Sequence, residues 1–180
     1  MKIIALHGAR GVGKSCIAEA LHARLPGSTI VGFADPIRKV AVETFGLPHE
    51  AVYGESALRE RVYPSLGYSA RQVLRLLGTE CGRALHPDVW VKALARTVSA
   101  GDKDGVFIIS DLRFENEAIW VRRQRGSLIV RITRASVVSP VPEHVSDFAL
   151  PDCLLDYEYE NDRSPEDGAR RICSEWDVET

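Results

Sequence analysis

The chain has 180 residues, 45% of them hydrophobic and 27% charged, with a formal net charge of -2. Those values fit one globular domain with a sizeable core and room for a small inserted lid. They argue against a dedicated nucleic-acid binder, whose phosphate partner demands a positive excess. No apolar run approaches a membrane span, so no membrane partner is expected either.

The chain opens with Lys2-Ile3-Ile4-Ala5-Leu6, a short apolar run that reads as a buried strand and leaves no space for a signal peptide. A cytoplasmic protein is therefore expected. Gly8-Ala9-Arg10-Gly11-Val12-Gly13-Lys14-Ser15 follows and fits G-x-x-x-x-G-K-[ST], a loop that cradles nucleotide phosphates. Glycines let successive backbone N–H groups turn inward around an anion, which residues with a Cβ tolerate poorly. Lys14 supplies a point charge for the β/γ-phosphates, and the Ser15 hydroxyl can reach a bound Mg²⁺. A helix over residues 16–25, with Ile17, Leu21 and Leu25 on one face, adds free N–H donors and the positive end of its dipole. The plainer reading is a glycine-rich turn without a ligand; the strand-loop-helix setting favours phosphate.

Pro26-Gly27 breaks the chain before a second strand over 29–33. Asp35-Pro36 starts a helix, with Asp at the cap, Pro in the first turn, and Ile37, Val40, Ala41 and Phe45 on one face. Residues 49–67 are loose and charged and read as a surface excursion. Ser69 caps the next helix, whose apolar stripe is Val73, Leu74, Leu77, Cys81 and Leu85. Pro87 restarts a helix with Trp90, Val91, Leu94 and Val98 inward. A third strand over 105–110 ends at Asp111, a weakly amphipathic helix covers 115–125, and a fourth strand covers 127–132. Residues 135–151 carry Pro140 and Pro142 with little periodicity and read as a mobile loop. A fifth strand over 155–160 and a helix over 165–176 complete the chain. Strands alternating with helices predict an α/β fold whose parallel sheet is covered on both faces. Cys16, Cys81, Cys153 and Cys173 show neither C-x-x-C nor metal-ligand spacing and read as buried free thiols.

Asp111 stands at the carboxyl end of an apolar strand, where open α/β sheets bind ligands, and its carboxylate can hold Mg²⁺ opposite Ser15. Arg113 lies two residues on, above the same sheet edge. Guanidinium forks match phosphate oxygens, so Arg38 and Arg71, each near the start of a helix, are candidates for an acceptor phosphate. Arg122, Arg123 and Arg125 read as a solvated helix face. Of Arg131 and Arg134, at the end of the fourth strand, Arg134 is the choice for closing over the transferring phosphoryl group. His144, beside Ser146-Asp147, is a candidate acceptor clamp against the plainer reading of an idle loop histidine. No nucleophile triad stands out. A monophosphate acceptor needs no strong general base, because its second ionisation falls at about pH 6.

Taken together, the chain resembles the bacteriophage-type deoxynucleoside monophosphate kinases of the P-loop nucleotide kinase group. The resemblance is carried by the phosphate loop, Phe33-Ala34-Asp35-Pro36 with Arg38-Lys39, and Leu77-Gly78-Thr79-Glu80 with Arg83. Trp90, Ser110-Asp111-Leu112-Arg113-Phe114-Glu115-Asn116-Glu117 and His144-Val145-Ser146-Asp147 extend it along nearly the whole chain. It implies Mg²⁺- and ATP-dependent phosphorylation of a deoxynucleoside monophosphate, with Gly8, Arg10, Gly11, Val12, Gly13, Lys14 and Ser15 on the ATP phosphates. Phe33, Asp35, Arg38 and Arg71 would lie toward the acceptor, with Thr79, Glu80 and Arg83 near it and Asn161 beside the adenine. Arg75, where the family pattern expects glutamine, puts base specificity in question, and Asp147 departs from an expected glutamate.

The expected architecture is a single P-loop kinase domain on a five-stranded parallel sheet, with an acceptor-binding helical region over about 34–100 and a lid over about 134–151. A kinase of another small metabolite, such as a cofactor precursor, stays open, with Asp35 or Asp111 as its base. So does a non-catalytic nucleotide-sensing module. A GTPase is disfavoured because no Asn-Lys-x-Asp run occurs. A homodimer, the accepted bases and a phage origin, which would place the protein in the host cytoplasm, are not decided by the sequence.

Overall fold

A computed structural model describes residues 1–54, 56–101, 104–137 and 149–178. His144, Ser146-Asp147 and most of the expected 135–151 loop lie outside the described residues. The chain forms two compact units, one of Met1–Gly32 with Leu94–Thr180, the other of Phe33–Ala93.

The first unit is built on a five-stranded sheet in the order β2-β5-β1-β6-β7, every neighbouring pair parallel. The strands are β1 (Lys2–His7), β2 (Thr29–Val31), β5 (Val106–Ile109), β6 (Leu128–Thr133) and β7 (Tyr157–Glu160). Burial on both faces makes the three central strands read as near-continuous apolar runs. Ile3, Ile4, Ala5, Leu6, Ile108, Ile109, Leu128, Ile129, Val130 and Ile132 are all sealed from solvent. The edge strands are less apolar: only Val31 is buried in β2 and only Tyr159 in β7.

On one face Ile4, Leu6, Ile108, Leu128, Val130 and Ile132 pack with Ile17 and Leu21 of α1 (Lys14–Arg24) and Ile172, Cys173 and Trp176 of α8 (Pro165–Val178). Alternation turns Ile3, Ala5, Phe107, Ile109 and Ile129 to the other face. There α7 (Glu115–Arg122) lies against β6, and Gly101, which ends α6 (Val89–Ala100), meets the Phe107 ring. Among the described residues no helix is long and apolar enough to cross a membrane.

The second unit contains α2 (Asp35–Glu43), α3 (His49–Tyr53), α4 (Ser56–Glu60), the antiparallel pair β3 (Val62–Tyr63) and β4 (Tyr68–Ser69), and α5 (Ala70–Arg75). Ala41, Leu47, Ala51, Val52, Ala70 and Val73 form its core. Residues 49–67 are therefore not only a surface excursion. Helix α3, too short to display a period, places Ala51 and Val52 fully inside. Ala34, not Asp35, caps α2; Asp35 and Pro36 occupy its first turn, where Asp35 pairs with Arg38. Ser69 does cap α5: its hydroxyl accepts the Gln72 N–H and the Gln72 side chain accepts the Ser69 N–H, a reciprocal capping box.

The apolar stripe expected after Ser69 fails beyond Leu77. Leu76–Arg83 is a π-helix, whose i→i+5 bonding rotates the inward face. Gly78 and Gly82 are buried, whereas Cys81 is exposed and Leu85 is 82% exposed. The cause is Trp90. Its indole Nε1–H donates to the Gly78 carbonyl at 2.7 Å, and its ring occupies the place that a Cβ on Gly82 would need. The expected burial of the thiols holds for Cys173 alone; Cys16, Cys81 and Cys153 are exposed.

Candidate active site

Strand β1 sits where the connections change sides of the sheet, the position at which open α/β sheets form a ligand crevice beyond their carboxyl ends. The phosphate loop leaves β1 there. Gly13 has φ +97°, and a Cβ on it would strike the Asn161 amide nitrogen. At Gly8, with φ +145°, a Cβ would strike the Ile132 carbonyl oxygen. Both positions therefore require glycine for approach as well as for φ. Gly13 caps α1 without a side-chain hydrogen bond, so no side chain competes for the first-turn N–H groups. Arg10, Gly11 and Ser15 are exposed around this end, while Val12 is buried.

Lys14 is 9% exposed, and its ammonium donates to the carbonyls of Gly8 at 2.8 Å and Ala9 at 2.7 Å. Burial, and then the nearby Arg113 guanidinium, push its pKa down to about 7, while Asp111 pulls the other way. Lys14, Asp111 and Arg113 thus share one electrostatic neighbourhood. Strand register explains why. Ala5 pairs with Ile109, so two residues further on His7 and Asp111 come level, and on the other side His7 pairs with Arg131.

Sequence reasoning missed His7. It is 4% exposed, with Nδ1 3.2 Å from the Leu112 carbonyl and Nε2 3.2 Å from the Leu150 N–H. A carbonyl needs a donor and an N–H needs an acceptor, so the ring is the neutral Nδ1–H tautomer. Burial is the main cause that lowers its pKa to about 4; Arg113, Arg131 and Lys14 add to it, and the Leu112 contact opposes it. Arg131 donates to the Leu150 carbonyl at 2.8 Å and pairs with Asp152 at 2.7 Å. Glu117, 2% exposed, accepts the backbone N–H groups of Arg113 at 2.9 Å and Phe114 at 3.1 Å, which fixes the turn after Asp111. Its signal was available as a glutamate three residues into a helix start.

Arg134 lies exposed just past β6. Its neighbour Arg131 lies within the field of His7, as does Arg113. Asn161 is 5% exposed; it donates from Nδ2 to the Val12 carbonyl at 2.7 Å, and its backbone N–H donates to Thr133 at 2.8 Å.

The remaining candidates belong to the second unit. Phe33 is buried; Arg38 pairs with Asp35 at 2.7 Å and lies 6.0 Å from the Tyr53 ring centroid. Arg71, on α5, pairs with Glu60, and α5 packs on α2, which carries Arg38. Thr79 and Glu80 lie on the π-helix, and Arg83 at its end donates to the Pro87 carbonyl at 3.0 Å. No group of three His, Cys, Asp or Glu side chains among the described residues could hold a metal by itself.

No protein-family model matches the chain. Among solved structures, shikimate kinase from Aquifex aeolicus is similar over 98% of this chain and 96% of its own, with a TM-score of 0.53 at 14% identity. That likeness shows the P-loop kinase fold. A deoxynucleoside-5'-monophosphate kinase of Escherichia phage T5 is 33% identical over 103 residues, 54% of this chain and 41% of that protein. A protein of Acanthamoeba polyphaga mimivirus described as a deoxynucleotide monophosphate kinase is 30% identical over 151 residues, 77% of each chain. With that span of identity on a P-loop kinase fold, the chain belongs to the deoxynucleotide monophosphate kinase family.

Proposed function

We propose that the protein transfers the γ-phosphoryl group of ATP to a deoxynucleoside 5'-monophosphate, forming the diphosphate. The observation that carries this reading is the convergence of Lys14, Asp111 and Arg113 at the carboxyl ends of β1 and β5, beside the uncapped start of α1. The loop amides and Lys14 would hold the ATP phosphates, and Arg113 would neutralise charge that develops on the transferring group. Lys14 turns its ammonium onto the loop carbonyls, and a phosphate would replace those contacts with stronger, charge-assisted ones. Phe33, Asp35, Arg38, Arg71, Thr79, Glu80 and Arg83 would serve the acceptor, together with His144, and Arg134 would close over the phosphates.

Ser15 and Asp111 suit Mg²⁺. Both are hard oxygen donors, and Mg²⁺ typically combines one or two protein oxygens with substrate phosphates and water. Bound there, Mg²⁺ would neutralise charge on the β- and γ-phosphates.

A coupled assay of ADP release over the four deoxynucleoside monophosphates tests the reading. ADP should appear with at least one acceptor, and only when the acceptor is present. Absence of turnover with all four, under conditions where ATP binds, would exclude the activity. Turnover of a non-nucleotide alcohol in its place would support the metabolite-kinase alternative.

A further inference from the structure

We infer that Asn161 is a positioning residue for the phosphate loop, acting on every phosphate-bearing donor regardless of its base. The inference rests on the ATP-site reading above, but it gives Asn161 a different part from a contact with adenine. Its side-chain Nδ2 donates to the Val12 carbonyl at 2.7 Å, in the middle of the loop. Since a carbonyl can only accept, the amide orientation follows from the contact. Its own backbone N–H donates to Thr133 at the end of β6, so the brace is anchored to the sheet. Asn161 is 5% exposed, and its amide nitrogen occupies the space that a Cβ on Gly13 would need.

The consequence is local and directional. Val12 and Gly13 immediately precede Lys14, and inward-facing N–H groups can form an anion cradle only if the intervening carbonyls are held outward. The bond to Asn161 holds the Val12 carbonyl in that way. Oδ1 of Asn161 is buried and has no hydrogen-bond partner in the described structure. The Nδ2 bond to Val12 is therefore the contact that ties this side chain to the loop. A sub-ångström loss of loop geometry is enough to weaken binding of a phosphate chain held by several amides together.

Pyrophosphate and tripolyphosphate separate the two parts, since neither has a base. Calorimetry should show Asn161→Ala weakening pyrophosphate, tripolyphosphate and ATP by a similar factor of about tenfold or more. Asn161→Asp should weaken them further, because it sets a carboxylate against the Val12 carbonyl and near the phosphates. The KM for the acceptor should stay within about twofold, and the ratio of ATP to GTP affinity should not move. Loss of ATP affinity with pyrophosphate and tripolyphosphate unchanged, or a changed ATP to GTP ratio, overturns the inference in favour of an adenine contact. Should either variant unfold, the wild type still decides: the Asn161 side-chain NH₂ resonance should exchange with water far more slowly than those of exposed amides, and fast exchange refutes the brace. If wild-type protein binds none of the three ligands, the ATP-site reading fails instead, a result distinct from both.

Discussion

The two units place their charges in opposite ways. In the Met1–Gly32 and Leu94–Thr180 unit the phosphate loop offers mostly backbone: loop amides, an uncapped helix start and one lysine folded onto carbonyls, with Asp111 and Arg113 beside it. In the Phe33–Ala93 unit the candidate groups are side chains that already have protein partners, Arg38 with Asp35, Arg71 with Glu60 and Arg83 with the Pro87 carbonyl. Backbone donors need no carboxylate displaced, and only Lys14 has loop carbonyls to leave. Arg38 and Arg71 must exchange a carboxylate for another anion, which lowers net affinity but adds selectivity.

The sharpest way to break that comparison is Lys14→Met. Activity should fall by about a thousandfold or more, because the ammonium that would leave the loop carbonyls for the phosphates is removed. The ligand-free protein should become more stable. The folded pKa of about 7 lies below the ordinary 10.5, so between these values the unfolded chain holds more protons. Stability is therefore lost as pH falls from 10.5 toward 7, and a neutral side chain escapes that cost. After losing the bonds to Gly8 and Ala9, the variant should gain about 1–2 kcal/mol at pH 7, read by thermal unfolding without nucleotide. Retained activity would exclude the loop as the site.

Next in size is His7, at the root of the same loop. Its folded pKa of about 4 lies below the ordinary 6.5. Its contribution is complete above pH 6.5, falls as pH drops toward 4, and is gone below that. Lys14, Arg113 and Arg131 face it and oppose its protonation. Urea unfolding of the wild type should lose up to about 3 kcal/mol more across this window than unfolding of His7→Gln. Parallel pH profiles for the two proteins would show that the ring is not buried as a neutral group.

The second unit is sharpened by Gly82→Ala. Its Cβ would have to share space with the Trp90 ring, so about 2 kcal/mol of destabilisation is expected by denaturant unfolding. The pair also shows why this region was hard to read. Strands β1, β5 and β6 were visible because burial on both faces makes them apolar throughout, and the phosphate loop because its chemistry is written in consecutive residues. The π-helix is contacted by Trp90, 12 residues beyond the carbonyl it binds, and a 3.6-residue period has no means of registering either. His7 was hidden for a related reason. Its partners are backbone atoms of Leu112 and Leu150, 105 and 143 residues away, and backbone atoms carry no signature of their own. Cys16 and Cys81 lie on exposed helix faces, and the apolar character of a thiol does not say which face it occupies.

The smallest effect contrasts two helix starts. Helix α5 is closed by Ser69 and Gln72, whose side chains satisfy each other's backbone N–H groups, whereas α1 begins at Gly13 with no side-chain cap. A closed start serves stability, and an open one leaves donors for an anion. Ser69→Ala should accordingly cost about 1 kcal/mol in denaturant unfolding, the usual worth of such a cap. Its affinity for pyrophosphate should be unchanged, because the donors that bind phosphate in this reading belong to the other unit. A fall in pyrophosphate affinity beyond the fraction unfolded would mean that the phosphate loop depends on how α5 begins, and the division of labour between backbone and side chains would not hold.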